Sequence, residues 1–202
     1  MDTLKVLIIA PLLKDKKKDH TDPANYRPIA LIVCIFKLFE SIIQSRISNF
    51  AEGSLDGGPS DPIFTDHMSG FRPGRSTLDH ILTLKETIIN HRDEKMAFLD
   101  IRKAFDSVNR EILWDALWEA GIRGKMWRII KSMFSGFKGK VRVHNSYTST
   151  FDILQGVIQG SRLGPILFNF FFLALVKKIA ALRGAELSFG VNISILVYAD
   201  VN

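Results

Sequence analysis

The apolar and polar positions of this chain switch repeatedly between the periods of strands and helices. An apolar run at Val6–Leu13, closed by a lysine cluster, has the length and flanks of a strand. Asp22-Pro23 and Arg27-Pro28 then predict an extended connection, because a residue before proline is pushed out of the helical region. Ile32, Val33, Ile35, Phe36, Phe39, Ile42, Ile43 and Ile47 recur at helical spacing and stop before a loop-like tract with Gly53, Gly57, Gly58, Pro59 and Pro62. Ser76 and Asp79 form a capping pair for a helix carrying Leu78, Ile81, Leu82, Ile88 and Ile89 on one face. A short apolar strand ending at Asp100 follows. Asn109 is placed to cap a helix with Ile112, Leu113, Ala116 and Leu117 that Gly121 ends, and another helical pattern runs through Trp127, Ile130 and Phe134. Val141-Arg142-Val143 and Phe151-Asp152-Ile153-Leu154 read as a strand pair around Asn145-Ser146. Pro165 opens a long apolar helix, and a last strand is predicted over residues 191–198. No internal repeat is visible, so the pattern predicts an α+β fold whose strands present carboxylates.

Composition adds a partner class. With 202 residues and 47% hydrophobic content, the chain can bury a sizeable core in one domain or two interlocked ones. A net charge of +6 favours a polyanion or an anionic membrane surface as partner. Residues 120–151 contain no acidic side chain but hold Arg123, Lys125, Arg128, Lys131, Lys138, Lys140 and Arg142. Trp127, Phe134, Phe137 and Tyr147 interleave with them, so this window offers both phosphate neutralisation and stacking surfaces. The alternative is a solvated basic face with Trp127 and Phe134 in the core. Lys14 and Lys16-Lys17-Lys18 form a weaker cluster, flanked by Asp15 and Asp19.

Several chemistries are excluded. The single cysteine, Cys34, permits no internal disulfide or Cys-rich zinc site, points to a reducing compartment, and falls in the apolar helical pattern as a core residue. The histidines show no paired metal spacing, and neither a Gly-x-Ser-x-Gly elbow nor a complete phosphate-binding loop is present. The N-terminal apolar run is short and lacks signal-peptide flanks, and the apolar stretch 166–176 is interrupted by Asn169 and ends at Lys177-Lys178, too short to span a bilayer. No signal peptide, membrane partner or transmembrane segment is expected, which points to an intracellular protein.

Two aspartates carry the most chemical information. Asp100 and Asp200 each close an apolar strand-like run. Carboxylates at two buried strand tips can hold divalent metal between them, as metal-assisted phosphoryl transfer requires. Read alone, without a family, each is a strand-end or turn residue rather than a metal ligand.

Five stretches, in this order, resemble reverse transcriptases, most closely those of non-LTR retrotransposons. They are Asn25-Tyr26-Arg27-Pro28-Ile29; Ser69-Gly70-Phe71-Arg72-Pro73-Gly74-Arg75-Ser76-Thr77; Phe98-Leu99-Asp100-Ile101-Arg102-Lys103-Ala104-Phe105-Asp106; Gly156-Val157-Ile158-Gln159-Gly160-Ser161 with Leu163-Gly164-Pro165; and Tyr198-Ala199-Asp200. Group II intron-type polymerases are a rival, less close at residues 71–77. The resemblance implies a right-hand polymerase with fingers and a partial palm, an antiparallel palm sheet packed on helices, and no thumb. It divides the chain into a fingers-like region (1–94), a palm strand with the first catalytic aspartate (95–107), helices and a hairpin (108–158), and a palm helix with a truncated catalytic strand (159–202).

The implied reaction is template-directed addition of deoxynucleotides to a primer. Asp100 and Asp200 would lie on adjacent strands and coordinate two Mg²⁺ or Mn²⁺ ions. Phe105 would pack under the incoming sugar and exclude a 2′-hydroxyl, Gln159 would contact the incoming nucleotide, Gly160 would permit close backbone approach, and Arg27 would grip the triphosphate. Arg72 and Arg75 would touch the template or serve the structure. RNA template, DNA primer and deoxynucleoside triphosphates are the implied partners.

The departures are as informative. The family usually places a second aspartate directly after the one matched by Asp200, where this chain has Val201, and the sequence closes at Asn202. Absence of the hairpin's return strand, the primer grip and the thumb is therefore expected, with little activity from this chain alone. The alternative to a polymerase core is an inactive retroelement remnant that at most binds nucleic acid through its basic segment. Exposed apolar surface around Phe168, Phe170, Phe171 and Phe172 is expected to favour aggregation.

Overall fold

The computed structural model describes residues 5–54, 58–93, 95–187 and 191–198. Strand β1 (Val6–Leu13) lies inside a five-stranded mixed sheet. On one side β2 (Tyr26–Leu31) pairs antiparallel, with Ile8 opposite Leu31 and Leu13 opposite Tyr26. On the other β3 (Lys138–Val143) runs parallel, with Val6 opposite Lys138 and Ile9 opposite Val141. Two short strands, β4 (Ser146–Tyr147) and β5 (Phe151–Asp152), pair antiparallel with the end and the start of β3. The expectation of an antiparallel sheet is corrected here: a parallel pair between segments so distant in the chain leaves no local signature, whereas hairpins do. Arg27-Pro28 lies within β2 itself rather than in a connection. The proline is tolerated because β2 is an edge strand.

Among the described residues there are five α-helices. In α1 (Cys34–Ala51) the inward positions are Glu40, Ile43, Ile47 and Ala51. In α3 (Arg110–Glu119) the Asn109 side chain caps the start by accepting from the backbone N–H groups of Glu111 and Ile112. Its other end turns at Gly121, whose φ of +93° suits glycine. α4 (Gly124–Phe134) buries Ile130, Met133 and Phe134 and turns its cations outward. α5 (Gly164–Ala180) is apolar almost all round and forms the middle of the core. Phe168 and Phe170 are buried and Phe171 and Phe172 half-buried, so the expected exposed aromatic surface on this helix is absent. Asn169, the one polar break in that run, is buried and donates to the Gly70 carbonyl, tying residues 69–72 to the core.

Other expectations are also corrected. No strand forms over residues 95–100; the segment has no regular element and is uncovered, with Leu99 90% exposed. Without a pairing partner among the described residues, an apolar run has no ladder to join. The last strand is short: β7 (Val191–Ile193) pairs with β6 (Ala185–Leu187), and Val197 then docks parallel to Met68 rather than beside residues 95–100. Cys34 is exposed, at the open start of α1, rather than in the core. The helix α2 (Thr77–Asn90) forms as predicted, with Asp79 accepting from the Ser76 N–H at 2.7 Å, but its apolar face remains open to solvent. No described helix is long and apolar enough to cross a membrane.

Candidate active site

Strands β1, β2 and β3, together with residues 100–106 and 159–161, line a groove of about 1810 Å³. Arg27 enters it from β2, Arg142 from β3, Asp100 and Phe105 from the segment before α3, and Gln159 and Gly160 from the turn before α5. Backbone bonds lock these segments together. The Ala30 N–H donates to the Gln159 carbonyl at 2.8 Å, the Val157 N–H to the Phe105 carbonyl at 2.9 Å, and the Gly156 N–H to the Val108 carbonyl at 2.9 Å. Two glycines make this possible. A Cβ on Gly160 would lie 2.6 Å from the Ala30 carbonyl oxygen, and one on Gly156 would meet the Phe105 and Asp106 carbonyls at 2.9 Å.

Phe105 is half-buried, its ring between those of Phe71 and Phe168 at 6.1 and 5.2 Å. That packing fixes the ring at the groove wall. Arg27 is half-buried, and its Nε is buried without a hydrogen-bond partner. An unpaired buried guanidinium donor is costly.

The groove is cationic: Lys14, Arg27, Arg102, Lys103 and Arg142 line it against the carboxylates Asp100 and Asp106. Burial pushes the Asp106 carboxyl above its ordinary range, against the opposing pull of Lys103 and Lys14. Asp100 offers an exposed hard-oxygen donor suited to Mg²⁺. Among the described residues no cluster of three or more His, Cys, Asp or Glu could hold a metal, and Asp200 lies outside the described residues.

The remaining basic candidates lie elsewhere. Arg72 is buried: it pairs with Glu52 in fork geometry at 2.8 and 2.7 Å and donates to the Thr65 and Met68 carbonyls. Its donors are used inside the fold. Arg75 pairs with Asp66 at the surface. Arg123 lies over Trp118 and Lys131 over Trp127, at 5.5 and 4.9 Å, while Lys125 and Arg128 flank a shallow recess beside Phe39. Lys138 and Lys140 sit on β3 outside the groove lining, with Lys140 Nζ 4.6 Å from the Tyr147 ring centre. Of the interleaved aromatics, Phe134 and Phe137 are core, Trp127 is half-buried, and Tyr147 is the one that stands exposed.

Two charged side chains with partners inside the fold carry only weak signals in the sequence. Arg110 donates to the carbonyls of Gly156, Phe134, Ile153 and Gln155, holding the approach to the Gln159 turn. Its signal was a cation in the first turn of a helix, where the dipole disfavours it unless it is engaged elsewhere. Glu40 is 1% exposed and accepts from the Ser161 hydroxyl and the Arg162 N–H. Its signal was a carboxylate in register with Phe36, Ile43 and Ile47 on the apolar stripe of α1.

Residues 15–200 match the family "Reverse transcriptase (RNA-dependent DNA polymerase)". The chain is 33% identical over 176 residues to the "Probable RNA-directed DNA polymerase from transposon X-element" of Drosophila melanogaster, covering 81% of this chain and 18% of that protein. It is 31% identical over 166 residues to the "Probable RNA-directed DNA polymerase from transposon BS" of the same organism, covering 76% and 17%. Over 193 residues it is 29% identical to the "Retrovirus-related Pol polyprotein from type-1 retrotransposable element R2" of Nasonia vitripennis, covering 94% and 18%. The chain belongs to the reverse transcriptase family, among those of non-LTR retrotransposons. It spans less than a fifth of the length of these three relatives.

Proposed function

We propose that the groove is the nucleotide and primer–template site of an RNA-directed DNA polymerase. The observation that carries this reading is the convergence of Arg27, Asp100, Phe105, Gln159 and Gly160 on one cationic groove from three distant segments. Arg27, which lines the groove from β2, would grip the triphosphate with its guanidinium. Phe105 closes the space beside the sugar at C2′ and favours deoxynucleotides by exclusion. Gln159 meets the nucleotide from the turn that Gly160 seats against β2. Asp100, with Asp200, would hold Mg²⁺, which supplies activation of the primer hydroxyl and charge neutralisation on the triphosphate when bound. The template would run over the basic groove floor near Arg142. Residues 1–94 would serve as fingers and 95–107 with 159–202 as palm.

A second reading has one observation in its favour: Val201 stands where the family's second aspartate belongs. On that reading the chain binds nucleic acid without synthesis. Primer extension on an RNA template with Mg²⁺ separates the two. Incorporation that disappears in Asp100→Ala supports the polymerase; salt-sensitive RNA binding without incorporation supports the remnant.

A further inference from the structure

The turn that carries Gln159 and Gly160 has few side chains of its own to hold it. Gln159 is half-buried and Gly160 has none, yet the turn must keep both at the groove wall. On its α1 side it meets a carboxylate. Glu40 reaches from the middle of α1, more than 100 residues away in the chain, and accepts from Ser161 Oγ with one oxygen and from the Arg162 N–H at 3.1 Å with the other. Ser161 Oγ in turn accepts the backbone N–H groups of Leu163 and Gly164, both at 3.1 Å. Those are donors at the start of α5 that have no partner within the helix. A relay thus runs from the α1 carboxylate through one hydroxyl to the first turn of α5. On the opposite side of the same turn, Gln159 is fastened to Ala30.

A carboxylate taken this far out of water is costly and needs full satisfaction. An apolar residue would complete the α1 stripe at lower cost if core packing were all the position required. Both oxygens instead contact the segment that follows Gln159-Gly160, and Ser161 also lines the groove.

We propose that Glu40 is the positioning residue for the nucleotide-contacting turn: through Ser161 and Arg162 it sets where Gln159 and Gly160 stand in the groove. This rests on the nucleotide reading of the groove given above. Glu40 touches no substrate itself and acts through the hydroxyl and the amide it holds.

The test uses the full chain with an RNA–DNA primer–template and labelled 2′-deoxyuridine triphosphate plus Mg²⁺, in wild type, Glu40→Gln, Ser161→Ala and the double variant. Glutamine is nearly isosteric but cannot accept from both Ser161 and Arg162 through its amide nitrogen. Nucleotide affinity is expected to fall about tenfold in Glu40→Gln, with primer–template affinity unchanged in the folded protein. Ser161→Ala is expected to show the same pattern, and the double variant to add little, since both changes cut one relay. Amide exchange at Arg162, Leu163 and Gly164 should accelerate in each variant. Wild-type nucleotide affinity in folded Glu40→Gln and Ser161→Ala would overturn the proposal while leaving the groove reading intact. Should Glu40→Gln fail to fold, the Ser161→Ala result alone decides. Absence of nucleotide binding in wild type would overturn the groove reading and with it the positioning role; accelerated exchange in the variants would then show only structural anchoring.

Discussion

Gly160 and Ala30 touch so closely that a methyl group on the glycine would sit 2.6 Å from the alanine carbonyl oxygen. The neighbouring bond from the Ala30 N–H to the Gln159 carbonyl presses the turn against β2, and Gly160 has a φ of +106° that side chains resist. Gly160→Ala should therefore destabilise the fold by about 2 kcal/mol from backbone strain alone. It should also displace Gln159 and weaken nucleotide binding. Denaturant melts and nucleotide titrations of the variant check both effects, and a stability equal to wild type would show that the turn does not lie against β2.

Arg72 and Arg75 stand three residues apart in one motif and should behave differently. Arg72 is buried against a partly exposed Glu52, and removing one partner of a buried pair costs about 3–5 kcal/mol. Arg72→Ala should then unfold the chain or lower its melting temperature sharply. Arg75 pairs with Asp66 at the surface, and Arg75→Ala should change stability by about 1 kcal/mol or less. Thermal melts of the two variants side by side make the comparison; similar small shifts would contradict the burial of Arg72.

The Glu40 carboxyl is held above its ordinary value, chiefly by burial, although Ser161, Arg162 and Lys37 pull it down. A raised folded-state value means that the native chain binds this proton more tightly than the unfolded chain. Its contribution to stability is fully present below the unfolded value of about 4.3 and is lost as pH rises through the folded value. Glu40→Gln has no such titration. The stability of wild type relative to Glu40→Gln should consequently decline as pH rises from about 4.3 through the weakly acidic range. Urea melts of both proteins across that range test this, and a difference that grows with pH would contradict it.

The two groups of cations should separate by salt dependence. Arg142 lines the groove, whereas Lys125 and Arg128 lie outside it on α4. If the template strand runs through the groove, Arg142→Ala should reduce the slope of log affinity against log salt by about 0.7 for a single-stranded RNA, one phosphate contact's worth. Lys125→Ala and Arg128→Ala should leave that slope unchanged. Titrations at several salt concentrations decide, and equal losses from both groups would mean that α4 also carries the strand.

Legibility in the sequence followed locality. Strand β1, the five helices and the Asn109 and Ser76–Asp79 caps rest on signals within a few residues, and the structure contains them. The parallel β1–β3 pair, the docking of Val197 on Met68 and the depth of Arg72 and Glu40 depend on segments distant in the chain, which periodicity does not report. The family itself was legible because its five motifs are contiguous, and the match over residues 15–200 bears that out. Residues 95–100 read as a strand because their apolar content is local, whereas pairing is not. The convergence of Arg27, Phe105 and Gln159 followed from the resemblance alone, since no spacing links three segments that meet only in the folded chain.

On the proposed reading, this groove takes a deoxynucleoside triphosphate with Phe105 beside the sugar. The most direct test of that reading is competitive binding of a deoxynucleoside and a ribonucleoside triphosphate carrying the same base, with Mg²⁺ and primer–template present, in wild type, Phe105→Ala and Arg27→Ala. Wild type should prefer the deoxynucleotide, Phe105→Ala should bind both about equally, and Arg27→Ala should weaken both about tenfold or more, the loss of about 1.5–3 kcal/mol for a hydrogen bond to a charged group. An unchanged preference in Phe105→Ala, or equal binding of the two nucleotides by wild type, would contradict the account.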